Sequence, residues 1–368
     1  FKQKTAYEIR LSLVGSEMCI RDRFHGGAPR EGVEAYRDVA KRYPSFRLGV
    51  IHALMWSIAH ADREMMAFAI GHANIEHDKL NSGWDARAAL AERQYVKALD
   101  RLRELSETKL EPEPATAVEE TLIWAYALTG QMDLAKAALA GLDERGTESF
   151  SYGVPRVSLE LATGSIAEAD RIRAINLRLL EQDSATPILI SRWTSWFLME
   201  LGNPRPAVIA ALEESFARAL PADLRSDPRV EMLQLMVAAS MPDHPWDRGA
   251  LASAFGENRA MAEGIVLQRN HDHAGAAAAF ERAAQASPEG RFMLNAYFVA
   301  ARAHRIAGNS VGVIATCSEV IEPRLFQYAW GALVGDCLKW TAEAAAKLQD
   351  KGRAEKAGKK LRDLGRGD

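Results

Sequence analysis

The sequence contains little cysteine. Three cysteines, Cys19, Cys317 and Cys337, occur in 368 residues, which is too few for the disulfide framework of a small secreted protein. Cys317 and Cys337 lie in apolar stretches, so we expect both to be buried free thiols. This usage fits a reducing compartment and favours a cytoplasmic location.

A surplus of basic residues and a long apolar run are also missing. The formal net charge is −3, whereas a nucleic-acid-binding protein needs a positively charged surface. The uncharged stretch Leu48–Ala61 is too short to span a bilayer and reads as a buried helix. We therefore expect neither nucleic acid nor a membrane as a partner.

The sequence lacks the common catalytic and metal-binding motifs. It has no phosphate-binding glycine loop, no Gly-x-Ser-x-Gly and no His-Glu-x-x-His. His72 and His77 are five residues apart on a predicted helix and so diverge around its axis. His271 and His273 fall at a predicted turn, where polar residues are common. We expect no enzyme activity, no cofactor and no metal site.

The first 23 residues differ in character from the rest. Lys2–Ile9 resembles the translation of a sequencing primer, and Leu13–Asp22 resembles the translation of a transposase adaptor. We therefore interpret residues 1–23 as a non-native, adaptor-derived segment and exclude it from fold reasoning. On this interpretation the native sequence starts near Phe24 and is a metagenomic fragment of bacterial origin that lacks its own N-terminus.

Helix-favouring residues are abundant in the remainder. Ala, Leu, Glu and Arg dominate, and apolar residues recur three and four positions apart, which predicts an all-α chain. Gly130 and Gly164 each end an apolar helix, and a small residue, Ala135 or Ala169, follows five positions later. The two glycines are 34 residues apart.

This spacing has a physical basis. Glycine adopts the left-handed conformation that ends a helix, and alanine lets two helices cross closely. All or part of this pattern recurs elsewhere in the chain, in some places in degenerate form. The further copies are Gly202 with Ala207; Gly308 with Val313; Gly352 with Ala357; Gly264 with Ala276, Phe280, Ala283 and Pro288; and Tyr36 with Val39 and Pro44.

From about Gly32 onward the chain resembles the tetratricopeptide-repeat (TPR) family, whose repeats are about 34 residues long. The resemblance implies an α-α superhelix, a TPR-like solenoid of roughly eight to ten antiparallel helix hairpins. We expect repeats in residues 24–240, a loop at 241–250, and further repeats in residues 251–368 that end in a Lys/Arg-rich capping helix.

The resemblance also implies a binding surface. In that family the first helix of each hairpin faces a concave groove, and two tryptophans and two arginines fall at such positions. Tryptophan and arginine are typical of the centres of protein interfaces. We expect the partner-binding residues to be Trp124, Arg192, Trp196 and Arg302. For the tryptophans, packing between hairpins is the alternative.

The expected function is that of a non-catalytic scaffold that binds proteins or peptides. One version places the chain as the C-terminal interaction or sensing part of a larger bacterial signalling protein. The alternative is a helical-repeat enzyme or small-ligand binder with a pocket in the concave face. A convergent acid/base pair in a deep pocket would favour the alternative. The oligomeric state stays open.

Overall fold

The computed structural model describes residues 29–43, 50–73, 83–110, 112–144, 150–182, 196–201, 204–220, 228–241, 257–286, 292–323 and 330–366. Every regular element within these ranges is helical, which confirms the all-α prediction. Residues 196–200 form a short helical stretch. The other helices are α1 (Pro29–Arg42), α2 (Val50–Ala59), α3 (Arg63–Ala73), α4 (Trp84–Ala91), α5 (Tyr95–Ser106), α6 (Pro112–Leu128), α7 (Met132–Glu144), α8 (Phe150–Thr163), α9 (Ile166–Gln182), α10 (Pro206–Ala219), α11 (Pro228–Ser240), α12 (Glu257–Arg269), α13 (His273–Ala286), α14 (Met293–Ile306), α15 (Ser310–Ile321), α16 (Trp330–Lys347) and α17 (Lys351–Asp363).

These helices divide into two compact units. Unit 1 comprises the described residues up to Thr129, and unit 2 comprises those from Gly130 onward. Sequence analysis did not predict a division at this point. The predicted loop at 241–250 lies outside the described residues except for Met241, and the segment 1–23 lies wholly outside them. Both therefore stay predictions.

Among the described residues, six pairs of consecutive helices are joined by turns of one backbone design. In each turn one residue has a positive φ, and the next amide donates to the carbonyl five residues earlier. In the α12–α13 turn, His271 has a φ of 62°, and the Asp272 amide donates to the Leu267 carbonyl at 2.9 Å. This Schellman arrangement satisfies carbonyls that a helix end leaves unpaired. The positive-φ residues are Ala61, Arg93, Gly164, His271, Gly308 and Gln349.

The residue after each positive-φ residue directly precedes the next helix. In four turns its side-chain oxygen accepts a hydrogen bond from the amide three residues later, which caps the new helix. The four capping residues are Asp62, Asp272, Asn309 and Asp350. Five positions after the turn residue, Ala169, Ala276 and Val313 are buried, as the repeat pattern predicts.

The structure agrees with the repeat pattern at Gly264 but not at Gly352. A Cβ at Gly264 would overlap the Phe280 ring, so the close approach of α12 and α13 requires a residue without a side chain there. The turn predicted at Gly352 is instead at Gln349, whose φ is 60°. Asp350 caps α17, and Gly352 consequently lies in the first turn of that helix.

One hydrophobic cluster of unit 1 is formed by its first three helices. Tyr36 of α1 is fully buried and packs with Leu54 of α2 and Met65 of α3. Its ring also contacts Phe68 edge-on, with centroids 6.4 Å apart. Helices α4 and α5 continue the unit, because α4 contacts both α2 and α3 and α5 contacts α6.

Unit 2 contains a contact between helices that are distant in sequence. Helix α8 packs against α16, and the Gly331 amide donates to the Ser158 Oγ at 3.1 Å. The Arg366 guanidinium donates to the Leu161 carbonyl. In an open solenoid each repeat contacts only its neighbours. The contact between α8 and α16 therefore joins helices that are not neighbours in the chain, and the predicted superhelix stays a prediction.

Helix α14 lies in the interior of this unit. The Asn295 Nδ2 donates to the Leu198 carbonyl at 3.0 Å, and the Arg302 Nη1 donates to the Ser240 carbonyl at 2.9 Å. The Phe298 ring stacks on Trp340 with centroids 4.9 Å apart. Helices α11 and α16 and the stretch 196–200 therefore cover much of α14.

No helix within the described ranges combines the length and the apolar character that crossing a lipid bilayer requires.

Candidate binding cleft

A cleft of about 600 Å³ lies in unit 1 between α3 and α5. Its floor is apolar, with Met66 and Ile70 contributed by α3 and Ala86 and Ala89 by α4. The small alanine side chains leave space above α4, because a longer side chain on the same face would fill the gap between α3 and α5. The cleft therefore follows from a run of small residues on the central helix.

Ion pairs close one wall of the cleft. The Arg101 Nε lies 2.7 Å from the Asp85 Oδ2, and its Nη1 lies 2.9 Å from the Glu104 Oε2. Burial lowers the pKa of Arg101, but the hydrogen bonds to Glu104 and Asp85 together outweigh it and raise that pKa. These contacts fix the Arg101 guanidinium between two carboxylates, so this group of three side chains carries one net negative charge.

The opposite wall carries a second, more exposed ion pair. The Arg63 Nε lies 3.3 Å from the Glu92 Oε1. Arg63 begins α3 and Glu92 follows the end of α4, so the pair joins two consecutive helical hairpins. Because Arg63 is largely exposed, the pair contributes little to stability. It stays available for exchange with a charged partner.

The surface continues beyond the cleft along α5. A shallow, open depression adjoins it and shares Gln94, Lys97 and Asp100 with it. Val96, in that depression, is 75 % exposed. An apolar floor, charged walls and an exposed valine thus follow one another along α3 and α5.

Three of the sequence-predicted residues, Trp124, Trp196 and Arg302, do not line this cleft. Trp124 lies on α6 and is 3 % exposed, and Trp196 lies in the stretch 196–200 and is fully buried. Their burial is what the packing alternative predicts. Arg302 is mostly buried in α14, its guanidinium over the Phe298 ring, and Arg192 lies outside the described residues. A partner-binding role for these four residues stays a prediction.

Sequence analysis missed the cleft because it followed the first helix of each hairpin. The cleft is bounded by the second helices of two hairpins, α3 and α5. One signal could have found it: the alternation of small and charged residues in Trp84-Asp-Ala-Arg-Ala-Ala-Leu-Ala91, which leaves one face of α4 without a large side chain.

A perturbed carboxyl lies on α6, outside the cleft. Burial raises the pKa of Glu120 to about 7, and the positive charge of Arg87 offsets this rise only in part. Arg87 donates instead to the Thr121 Oγ1, at 3.0 Å, and lies over the Trp84 ring. Glu120 is four residues before Trp124, on the same side of the helix.

Four charged residues form an ionic network in unit 2, in which Arg173 and Glu200 are buried and Arg205 and Asp170 are partly exposed. Arg205 donates to Asp170 at 2.7 Å and to Glu200 at 2.6 Å, while Arg173 pairs with the same two carboxylates at 2.7 and 3.1 Å. The hydrogen bonds from Arg205 are the main reason that the pKa of Asp170 is below its ordinary value. Two positive and two negative charges balance here, so the network reads as a structural link from α9 to the start of α10.

Within the described ranges no group of three or more His, Cys, Asp or Glu side chains is placed to hold a metal ion. His271 and His273 lie at the α12–α13 turn, as predicted.

No protein-family model matches this chain, and no curated protein matches it. Its function is therefore inferred from its own residues and geometry.

Proposed function

We propose that this chain is a non-catalytic, TPR-like helical-repeat protein that binds another protein or peptide through the α3–α5 cleft. The observation that carries the proposal is the cleft itself: an apolar floor between the second helices of two successive hairpins, bordered by paired charges. Interfaces commonly combine an apolar centre with a polar rim.

The recurring hairpin supports the helical-repeat part of the proposal. Six turns share one backbone design, and small residues recur where paired helices cross. Repeats of this kind hold their helices at fixed distances, so that side chains from neighbouring hairpins form a continuous surface. The α3–α5 cleft is such a surface, because Met66 belongs to one hairpin and Lys97 to the next.

A matched pair of surface variants tests the site. Val96 and Val311 are both the second residue of a helix, and they are 75 % and 65 % exposed. We expect Val96→Asp to weaken partner binding at least tenfold and Val311→Asp to leave it unchanged. Affinity is measured by calorimetry with the partner captured from the source cell. Both variants should keep the wild-type circular dichroism spectrum.

Site-specific crosslinking provides an independent readout. A photoreactive amino acid at Ala67, which lines the cleft, should form an adduct of defined mass in the source-cell lysate. The same group at position 311 should not. Adducts of equal yield at both positions, or an adduct at 311 alone, would reject the cleft as the binding site.

A small-molecule ligand is the second candidate, and the cleft volume of about 600 Å³ favours it because such ligands occupy pockets of comparable size. The molecular mass of the ligand distinguishes a protein partner from a small molecule. If a lysate filtrate that contains only small molecules raises the melting temperature of the wild type, but not that of Ala67→Glu, the ligand is small. Stabilisation by the retained macromolecules alone supports a protein partner.

A further inference from the structure

Cys317 and Cys337 lie against each other in the interior of unit 2. Cys317 belongs to α15 and Cys337 to the next helix, α16, and both side chains are fully buried. Their Sγ atoms are 2.7 Å apart, which is closer than two sulfur atoms in ordinary van der Waals contact. A disulfide needs a separation of about 2.05 Å, so a small adjustment of the two side chains would join them.

The surroundings keep these thiols protonated in the closed fold. Burial, above all, and the hydrogen bond with Cys317 raise the pKa of Cys337 well above its ordinary value. Because the thiolate is the species that attacks a disulfide, exchange on the closed fold is slow. Reaction requires that α15 and α16 separate locally or that the pair forms during folding.

We propose that Cys317 and Cys337 are a redox-active pair that closes to an intramolecular disulfide in the presence of a low-molecular-weight disulfide such as oxidised glutathione. One cysteine thiolate attacks a sulfur of the oxidant, which releases one thiol and leaves a mixed disulfide on the protein. The second cysteine thiolate attacks the protein sulfur of that mixed disulfide and expels the second thiol. The protein loses two protons and two electrons, and the oxidant is reduced to two thiols.

Closure would add a second covalent link between two helices that are already consecutive in the chain. The bridged cysteines are 20 residues apart in sequence, so the disulfide restricts the unfolded chain between them and stabilises the folded state. Helix α16 also packs on α8, α14, α15 and α17. The oxidation state of the pair therefore affects the stability of the helix at the centre of unit 2.

The test uses the full chain with Cys19→Ser, so that Cys317 and Cys337 are the two remaining cysteines. The reduced protein is incubated with oxidised glutathione, and a second sample is unfolded and refolded in the same buffer. We expect both samples to lose two hydrogen masses and both alkylatable thiols, and to yield a peptide that joins Cys317 to Cys337. Their melting temperature should rise by at least about 4 °C and return on reduction.

Cys317→Ala and Cys337→Ala, each in the same background, are the matched controls. Each retains one thiol, so neither should show a glutathione-dependent rise in melting temperature. Two alkylatable thiols in both Cys19→Ser samples, stable mixed disulfides, or disulfide-linked dimers in place of the internal bridge would overturn the proposal. The refolded sample makes a negative result decisive, because burial cannot protect the thiols there.

Discussion

The backbone amide of Gly331 donates a hydrogen bond to the Ser158 side chain at 3.1 Å, although 173 residues separate the two in sequence. A Cβ at position 331 would overlap the Ser158 carbonyl oxygen. The contact between α8 and α16 therefore depends on a glycine at this point of the chain.

We expect Gly331→Ala to destabilise unit 2 by about 3 kcal/mol, near the upper end for overpacking a core, because backbone atoms cannot move aside as a side chain can. Chemical denaturation followed by circular dichroism measures the loss. Gly358→Ala is the control, since a Cβ there meets only the Arg362 guanidinium at 3.6 Å. It should be neutral or stabilising by up to about 1 kcal/mol. Equal effects of the two substitutions would contradict the close contact.

The hairpin packing predicts a second difference between neighbouring positions. Ala276 is fully buried where α13 crosses α12, whereas Ala278 on the same helix is exposed. Ala276→Leu should cost about 1–3 kcal/mol through overpacking, and Ala278→Leu should stay within about 0.5 kcal/mol of the wild type. Denaturant unfolding of both variants measures the two changes in the free energy of unfolding. A neutral Ala276→Leu would show that the repeat register is wrong.

A substitution at Glu200 measures how much the ionic network of Arg173, Arg205, Asp170 and Glu200 stabilises unit 2. Glu200→Gln removes one of the two carboxylates and leaves Arg173 and Arg205 with Asp170 alone. Because Arg173 is almost fully buried, we expect a loss of about 3–5 kcal/mol. The exposed pair between Arg218 and Glu214 is the comparison, and Glu214→Gln should change stability by less than about 1 kcal/mol. Similar melts for the two variants would show that the network is unimportant.

The raised pKa of Glu120 predicts a pH dependence with a definite sign. The folded protein retains the Glu120 proton up to about pH 7, whereas the unfolded chain releases it near 4.5. The stabilisation that comes from the protonated Glu120 side chain is therefore complete below pH 4.5 and is lost as the pH rises through 7. The wild type should lose roughly 2–3 kcal/mol relative to Glu120→Gln between these values. Parallel stability curves for the two proteins from pH 4.5 to 8 would refute the shift.

Substitutions at Trp196 test whether its side chain serves the hydrophobic core or a binding surface. Because its side chain is fully buried, Trp196→Ala should destabilise the protein by about 3–5 kcal/mol, while Trp196→Phe should cost less because it keeps most of the volume. If Trp196→Ala instead melts like the wild type and loses its partner, this tryptophan belongs to a binding surface, and the prediction made from its register is right.

Local features of the fold could be predicted from the sequence. Gly164 and Gly308 have positive φ values of 83° and 76°, as their places before Ala169 and Val313 indicate. These predictions succeed because a turn and the helix crossing beside it are set by residues close together in the chain. The helical character of α13 follows in the same way from its alanine-rich periodicity.

The long-range contacts could not be predicted in this way. Nothing near Ser158 or Gly331 marks them as partners, since an isolated glycine at a helix start has many uses. The α3–α5 cleft was missed for a related reason: its floor depends on which face of α4 its neighbours leave uncovered. Trp124 was placed on the correct helix, but periodicity alone does not say which other helices cover it.

The hairpin turns have a consequence for how this architecture can change over evolutionary time. Four of the six turn residues are not glycine: Ala61, Arg93, His271 and Gln349. A left-handed conformation at such residues costs about 1–2 kcal/mol each, so the Schellman hydrogen bonds and the helices on either side must hold the turn against its own residue preference. The hairpin therefore does not require glycine at this position, and a change from glycine can be tolerated where the surrounding hydrogen bonds and helices outweigh its cost.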